Sequence, residues 1–300
     1  MRSWTILACT TWLTLAGCDS SSEPAITCAT DISVGEVQPF AMPTPSRTEG
    51  ITFDASGKLF VSSLEDEVGV DDQLVELATN DAWEVVAEAE SILGLASHRT
   101  GIIAAGFGTG QLLLIDPATG AVDVLAENLG APNFVVVTPW DTILVSDDSP
   151  GTSTIREVTF DGVVSVWVEG VPTPNGMVFS LDKEWLYVAA TFEEEGLWRV
   201  RVSEDGEASV PEKWVAFDDL TAPDGVTIDS EGNVYVALNF KGEIARVTPD
   251  GTDSIIADGL HNVASLAFGR GEFDHCSIYA TDLGGTQLSR VGIGILGTER

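Results

Sequence analysis

The sequence has few basic residues: 14 Lys and Arg stand against 47 Asp and Glu in 300 residues, a formal net charge of −33. Because binding to a nucleic-acid backbone needs a patch of Lys and Arg, this composition excludes a nucleic-acid partner. An acidic surface keeps a protein soluble and concentrates cations near it. Long apolar runs are also scarce, and the stretch from Trp4 to Ala16 is too short to span a bilayer comfortably.

The residues of the best-known hydrolytic triads are sparse as well. Only His98, His261 and His275 are histidines, and no Ser lies in the Gly-x-Ser-x-Gly context of a nucleophile elbow. No segment has a convincing helical period, whereas the 30 Gly and 13 Pro suit many tight turns. The composition therefore favours an all-β protein and disfavours a Ser-His-Asp hydrolase.

The first 17 residues read as a processing signal. A positive residue and a short apolar stretch lead to the letters LAGC at 15–18, which resemble a bacterial lipobox. We therefore expect residues 1–17 to be removed and Cys18 to be lipidated, with residues 18–31 as the lipidated N-terminus and tether. An ordinary cleaved secretory signal is the alternative. The expected location is the cell envelope, as a periplasm-facing lipoprotein; Asp19 resembles an inner-membrane retention signal.

Six segments of the chain repeat one pattern of short strands. An inner strand is followed by a tight turn and a second strand, as in residues 49–62, 175–189 and 224–237. The copies recur about every 40–50 residues, a spacing typical of propellers. We predict an all-β fold, a six-bladed β-propeller over residues 32–300, in which residues 32–40 add a strand to the last blade.

The cysteines fit such a closed ring. Cys9 is lost with the signal and Cys18 takes the lipid, which leaves Cys28 and Cys276 in an oxidising compartment. We predict a disulfide between these two, with two unpaired thiols as the alternative. Because one precedes the first repeat and the other lies in the last, the bond would fasten the ends of the ring.

One position of the repeat bears a side-chain oxygen in four of the six copies. Leu93 and Ala264 occupy this position in the other two copies, and we expect them to form an apolar part of the wall around the axis. Since equivalent positions of successive blades converge on one axis, these oxygens predict a divalent-cation site, for Ca²⁺ before Mg²⁺ or Mn²⁺. Asn and Asp are also ordinary turn residues, so no single residue supports the prediction. The support comes from their occurrence at the same position of successive repeats, which we call a shared phase. The four are Glu49, Asn133, Asn175 and Asp224.

These motifs resemble the SMP-30/gluconolactonase/luciferin-regenerating-enzyme family of six-bladed propellers, over about residues 45–290. The matching pieces are Glu49-Gly50, Asn175-Gly176, Pro223-Asp-Gly225 with the turn that follows it, and Leu266-Ala-Phe-Gly269.

The resemblance implies specific roles for the repeated residues. Glu49, Asn175 and Asp224 are the implied metal ligands, and Asn133 is an auxiliary residue near metal and substrate. Asp224 is also the implied catalytic base, which activates water in the hydrolysis of a lactone or related ester. The implied cofactor is a divalent cation, most simply Ca²⁺, with Mg²⁺, Mn²⁺ or Zn²⁺ as alternatives. We expect a monomer with a small-molecule substrate.

Two positions depart from the family pattern. Phe134 follows Asn133 where the family usually has Asp, and Ala131 replaces an Arg common in sugar-lactone hydrolases. A site built on hydrogen bonds discriminates through them, so the sequence favours a more apolar lactone or ester over a sugar lactone.

Other readings stay open. His261 precedes the sixth copy and is a candidate general base, with a surface-loop role as the alternative. The run from Glu193 to Glu195 is expected at a solvated hairpin tip.

The rival function is a non-catalytic, envelope-anchored propeller that serves as a platform for ligands or proteins, since fold alone does not decide function. A lyase or phosphotriesterase that uses the same metal is a third alternative.

Overall fold

The computed structural model describes residue 28 and residues 31–40, 46–67, 69–79 and 82–298. The predicted signal (residues 1–17), the lipidation site Cys18 and Asp19 lie outside the described residues. Within that part of the chain, no helix has the length and apolarity needed to cross a membrane. The single helical element there is a 3₁₀ turn at Asn239–Lys241.

Twenty-four strands make up the described fold. The first twelve are β1 (Val37–Phe40), β2 (Arg47–Phe53), β3 (Leu59–Leu64), β4 (Asp72–Leu77), β5 (Trp83–Ala89), β6 (Leu95–His98), β7 (Gly101–Gly106), β8 (Gln111–Asp116), β9 (Ala121–Ala126), β10 (Pro132–Val137), β11 (Ile143–Asp147) and β12 (Thr154–Val158). The others are β13 (Val164–Glu169), β14 (Pro174–Phe179), β15 (Trp185–Ala190), β16 (Gly196–Arg201), β17 (Glu212–Ala216), β18 (Pro223–Ile228), β19 (Val234–Leu238), β20 (Glu243–Val247), β21 (Asp253–Ala257), β22 (Val263–Phe268), β23 (Ser277–Asp282) and β24 (Leu288–Gly292).

These strands form six antiparallel sheets of four, which confirms the predicted six-bladed propeller. Blades 1 to 5 each use four consecutive strands, from β2–β5 to β18–β21. Blade 6 has the order β1-β24-β23-β22, so its outer strand comes from the N-terminal end of the chain. The added strand predicted at residues 32–40 is therefore real, but it is limited to Val37–Phe40.

The hydrophobic core lies between blades. One cluster joins Val136 and Leu144 of blade 3 to Met177 and Leu186 of blade 4, and similar clusters join other neighbouring blades. A middle strand such as β3 is buried along its whole length because a blade covers each of its faces. An outer strand such as β13 is exposed at most positions.

The Asp-x-x-Gly turns behave as the sequence predicts. Asp54 Oδ1 accepts hydrogen bonds from the backbone N–H groups of Ser56 and Lys58, at 2.8 and 2.9 Å. Gly57 closes this turn with φ of 86°, a conformation that costs glycine little. The equivalent turn at Asp229 has the same side-chain contacts, to Glu231 N and Asn233 N.

A disulfide fastens the ring at its closure, as predicted. Cys28 is bonded to Cys276, with the Cα atoms 5.6 Å apart and a sequence separation of 248. Cys276 is 2% exposed. Nearby, Arg290 of β24 donates a hydrogen bond to Asp31 at 2.7 Å, which is a second link between the two ends.

Replacing both cysteines by Ser should destabilise the protein. The chain-entropy argument gives roughly 2–5 kcal/mol for loss of a native disulfide that closes so long a loop. Thermal unfolding of the double variant checks this, with the reduced wild type as the control that should reach the same lower Tm. A Tm unchanged in both samples would mean that the strand pairing of β1 with β24 closes the ring unaided.

Candidate metal and catalytic site

The four predicted oxygen donors occupy the same place in their blades. Glu49, Asn133, Asn175 and Asp224 lie near the start of the innermost strands β2, β10, β14 and β18. Their exposed fractions are 2%, 6%, 2% and 6%, so all four polar side chains are buried. We call them the axial residues. The six innermost strands surround a central channel, and we call the end at which the axial residues lie the upper end.

A bulge in each inner strand aims the axial residue. In blade 1 the pairing with β3 passes from Thr48 directly to Ile51, and the other three strands skip the equivalent two residues. Bulges commonly re-aim a side chain beside an active site. In blades 1 and 3 a Ser hydroxyl of the second strand accepts a hydrogen bond from an N–H that the bulge frees: Ser62 from Gly50 at 2.6 Å and Ser146 from Phe134 at 3.0 Å.

The Gly that follows three of the axial residues is required by the closeness of the blades. A Cβ added at Gly50 would overlap the carbonyl oxygen of Leu93 in the next blade. One added at Gly176 would overlap the carbonyl oxygen of Asp224. The Glu-Gly, Asn-Gly and Asp-Gly pairs therefore combine a ligand with the residue that lets neighbouring blades approach.

Each axial residue leaves one buried oxygen without a hydrogen-bond donor among the described residues. These atoms are Glu49 Oε2, Asn133 Oδ1, Asn175 Oδ1 and Asp224 Oδ1. Buried acceptors without partners are rare because each costs free energy. Four of them at one repeated position indicate that a cationic group belongs there.

The donor set fits calcium. Carboxylate and amide oxygens are hard ligands, which Ca²⁺ takes in numbers of six to eight. No group of three or more His, Cys, Asp and Glu in the described part of the chain is placed to hold a metal. A cation on the axis would therefore depend on the amide oxygens of Asn133 and Asn175, a poor match for Zn²⁺.

The structure adds Asp148, which sequence reasoning missed. Asp148 is 8% exposed, and its Oδ2 accepts a hydrogen bond from Asn133 Nδ2 at 3.0 Å. That bond orients the amide so that Asn133 Oδ1 is left free of donors. Asp148 Oδ1 is itself a fifth buried oxygen without a partner among the described residues. The two consecutive acids at the end of buried strand β11 were the available signal.

Burial, together with the repulsion between neighbouring carboxylates, raises the pKa values of the three carboxyl groups. Burial raises the pKa of Glu49 to about 8, and the charge of Asp148 adds to that shift. Burial likewise raises the pKa of Asp148 to about 7. The pKa of Asp224 rises well above its usual range through burial and the charges of Glu49 and Asp148. A bound cation would favour the ionised forms of all three.

Asn239 fixes the orientation of Asp224. Its Nδ2 lies 3.4 Å from Asp224 Oδ2 and donates to the carbonyl oxygens of Asn262 and Val263 at 3.2 and 3.1 Å. Asn239 belongs to the 3₁₀ turn after β19, and it follows Asp224 by 15 residues, the same spacing that separates Asp148 from Asn133. The remaining oxygen, Asp224 Oδ1, is the one without a partner.

His261 lies at the same end of the propeller but not among the axial residues. Its side chain is 67% exposed, and its Nδ1 lies 3.2 Å from Asp282 Oδ1. Within the described residues it has no hydrogen bond to an axial residue. Its role as a general base stays a prediction that this geometry does not favour.

A cavity of about 500 Å³ fills the opposite part of the channel, which we call the lower channel. Phe134, expected from the sequence to make the substrate site apolar, lines this cavity with Phe53, Phe179 and Phe268. The axial residues are not part of its lining. This cavity is therefore not the expected place of a hydrolytic reaction, since the axial residues lie at the upper end of the channel.

Comparisons with known proteins agree with this fold. Residues 48–280 match the family described as SMP-30/Gluconolactonase/LRE-like region. The pentonolactonase XacC of Haloferax volcanii is 29% identical over 231 residues, which cover 76% of this chain and 75% of that protein. A gluconolactonase from Xanthomonas campestris superimposes with a TM-score of 0.69 at 17% identity, covering 87% of this chain and 98% of its own. The calcium-binding regucalcin of Agrobacterium tumefaciens gives a TM-score of 0.68 at 21% identity, with coverages of 87% and 93%.

The raised carboxyl pKa values predict how stability changes with pH. Between its usual pKa of 4.5 and the folded value of about 8, Glu49 holds a proton in the folded state that the unfolded chain releases. The free energy of unfolding of the metal-free protein should therefore fall as pH rises from 5 to 8. Thermal melts in EDTA measure this. Glu49→Gln should show a shallower decline; an equal slope would assign the effect to the overall negative charge.

Asp148→Asn should weaken calcium binding. The change keeps an oxygen that can accept from Asn133 but removes one negative charge beside the axial residues. Mutation of a residue that supports the ligands typically costs about 10- to 100-fold in metal affinity. Calorimetric titration with Ca²⁺ measures it, with Asp123→Asn in the exposed strand β9 as the matched control. Equal affinities in the two variants would remove Asp148 from the site.

Proposed function

The chain belongs to the SMP-30/gluconolactonase/LRE-like family, and on that premise we propose that it is a divalent-cation-dependent hydrolase of lactones or related esters. One observation supports the proposal above the others: the axial residues and Asp148 aim five partnerless buried oxygens at one region. Relatives named pentonolactonase and gluconolactonase, and a neighbour named as calcium-binding, agree with this chemistry.

The axial residues would hold the cation, with Ca²⁺ the ion that their oxygens fit best. A divalent cation there supplies polarisation of the substrate carbonyl. Glu49 and Asp224 would provide two negative charges, which balance those of the cation, and Asn133 and Asn175 would provide neutral oxygens that complete the donor set. Asp148 would keep Asn133 in the orientation that the site needs.

Asp224 is the residue that we assign to proton transfer. Its Oδ2 is held by Asn239 while its Oδ1 faces the axis without a partner. Water would add to the lactone carbonyl carbon as the Asp224 carboxylate accepts its proton. The ring C–O bond would then break, and the proton would pass to the departing oxygen to give the hydroxy acid.

Activity measurements with and without metal test this assignment. The wild type should hydrolyse at least one lactone of a panel in a pH-stat assay, lose the activity in EDTA and regain it with Ca²⁺. Asp224→Asn should lower kcat/KM by roughly 10²- to 10⁴-fold, the usual effect of a general acid-base group, whereas Asp123→Asn should not. Tight calcium binding without hydrolysis of any lactone would instead favour a binding platform.

A further inference from the structure

Three large apolar side chains are exposed at the upper end of the channel. Phe192 is 51% exposed, Leu220 67% and Phe240 58%. We call these three residues the apolar rim. Single exposed apolar side chains are common on protein surfaces. Whether these three act together therefore depends on where they lie and on how firmly their connections are held.

The strand register places all three beside the axial residues of blades 4 and 5. Pro174 pairs with Ala190 and Pro223 with Leu238, so β15 and β19 end where Asn175 and Asp224 begin their strands. Phe192 and Phe240 follow those strand ends by two residues. Leu220 lies on the connection that leads from β17 directly to Asp224.

Hydrogen bonds join these connections into one unit. Thr191 Oγ1 donates to the carbonyl oxygen of Pro223 at 2.8 Å, directly before Asp224. Phe240 N donates to the carbonyl oxygen of Thr221 at 3.2 Å, beside Leu220. The residue before Phe240 is Asn239, which also contacts Asp224. The apolar rim is therefore built on the same groups that position the catalytic carboxylate.

Glu195 holds the central connection in a fixed shape. Its carboxylate accepts from the N–H groups of Leu220, Thr221 and Ala222 at 3.0, 2.7 and 2.9 Å. Leu220 and Ala222 have φ of 62° and 48°, a backbone conformation that persists only where surroundings impose it. The predicted solvated hairpin tip at 193–195 is thus wrong for Glu195. This connection presents Leu220 to solvent in a defined position.

The charges around the apolar rim restrict what it would bind. Glu193 and Glu194 follow Phe192, and Asp218 and Asp219 precede Leu220; all four are exposed. Two cations are also present, since Lys241 follows Phe240 and Lys213 lies 3.4 Å from Glu194, so the border is acidic in sum. Such a border repels anionic ligands and the anionic surface of a lipid bilayer. An uncharged molecule with a hydrocarbon part meets neither obstacle.

We propose that the apolar rim binds the side chain of an alkyl-substituted lactone while the ring lies at the axial residues. The proposal rests on the proposed lactonase function and adds the substrate class. Hydrolysis would convert the neutral lactone into a hydroxy-carboxylate, which the four neighbouring acids would repel. The border would therefore admit the substrate and favour release of the product.

A chain-length series tests this inference. The purified protein with Ca²⁺ would be assayed on γ-butyrolactone, γ-hexalactone, γ-octalactone and γ-decalactone, beside a sugar δ-lactone. Each methylene that becomes buried should raise kcat/KM, by up to roughly fourfold. Phe192→Ser and Phe240→Ser should each reduce the ratio of kcat/KM for γ-decalactone over γ-butyrolactone by roughly tenfold. Leu181→Ser is the matched control, since Leu181 is 47% exposed but lies at the lower channel.

The outcomes separate this inference from the proposed function. Equal kcat/KM values across the series, or a preference for the sugar lactone that neither Phe variant alters, would overturn the rim as a substrate subsite while leaving a lactonase. An unchanged chain-length ratio with reduced binding of both variants to phosphatidylcholine vesicles would assign the rim to a membrane. Failure of the wild type to hydrolyse any lactone, sugar or alkyl, would overturn the proposed function itself and this inference with it.

Discussion

The constraint that governs this structure is the burial of oxygen atoms that have no donors. Among the described residues, five carboxyl and amide oxygens of this kind lie at the upper end of the channel, on side chains that are 2% to 8% exposed. Each unmet acceptor costs about 1–3 kcal/mol, and three of the five belong to carboxyl groups that repel one another. The inter-blade cores and the closing disulfide must offset that cost in the metal-free chain. A cation that bound there would remove the cost and would therefore stabilise the fold.

The repeat made most of the fold predictable, because a residue's phase within a blade determines its distance from the axis. Glu49 and Asp224 are far apart in sequence, yet equal phase brought both to the axial position. Asp148 and Asn239 also share a phase, since each directly follows the second-strand residue that pairs with the Pro before its axial residue. The equivalent residue of blade 4 is Thr191, so the residue type at this position varies and the repeat alone did not reveal its role. The prediction for Glu195 failed because its charge suggested exposure to solvent, whereas the connection before β18 offers its carboxylate three backbone N–H donors.

The two ends of the channel differ in chemistry because different connections meet there. Tight turns such as those at Asp54 and Asp229 lie at the lower end, beside an apolar cavity. The connections at the upper end are no longer than those at the lower end, but they carry Asn239, the apolar rim and its acidic border. Connections of this kind change readily among proteins that share a scaffold. The rigid blades fix the oxygen atoms, while the connections are free to set which molecule reaches them.

The disulfide also determines at which end of the propeller the described chain begins. Cys276 precedes β23, a strand that runs from the lower end of the channel to the upper end, so Cys28 is fastened at the lower end. The described chain therefore begins, at Cys28, on the side opposite the axial residues. If Cys18 carries a lipid, the nine residues between Cys18 and Cys28 would join the bilayer to the lower end. The mouth of the site would then open away from the membrane, toward whatever diffuses past it.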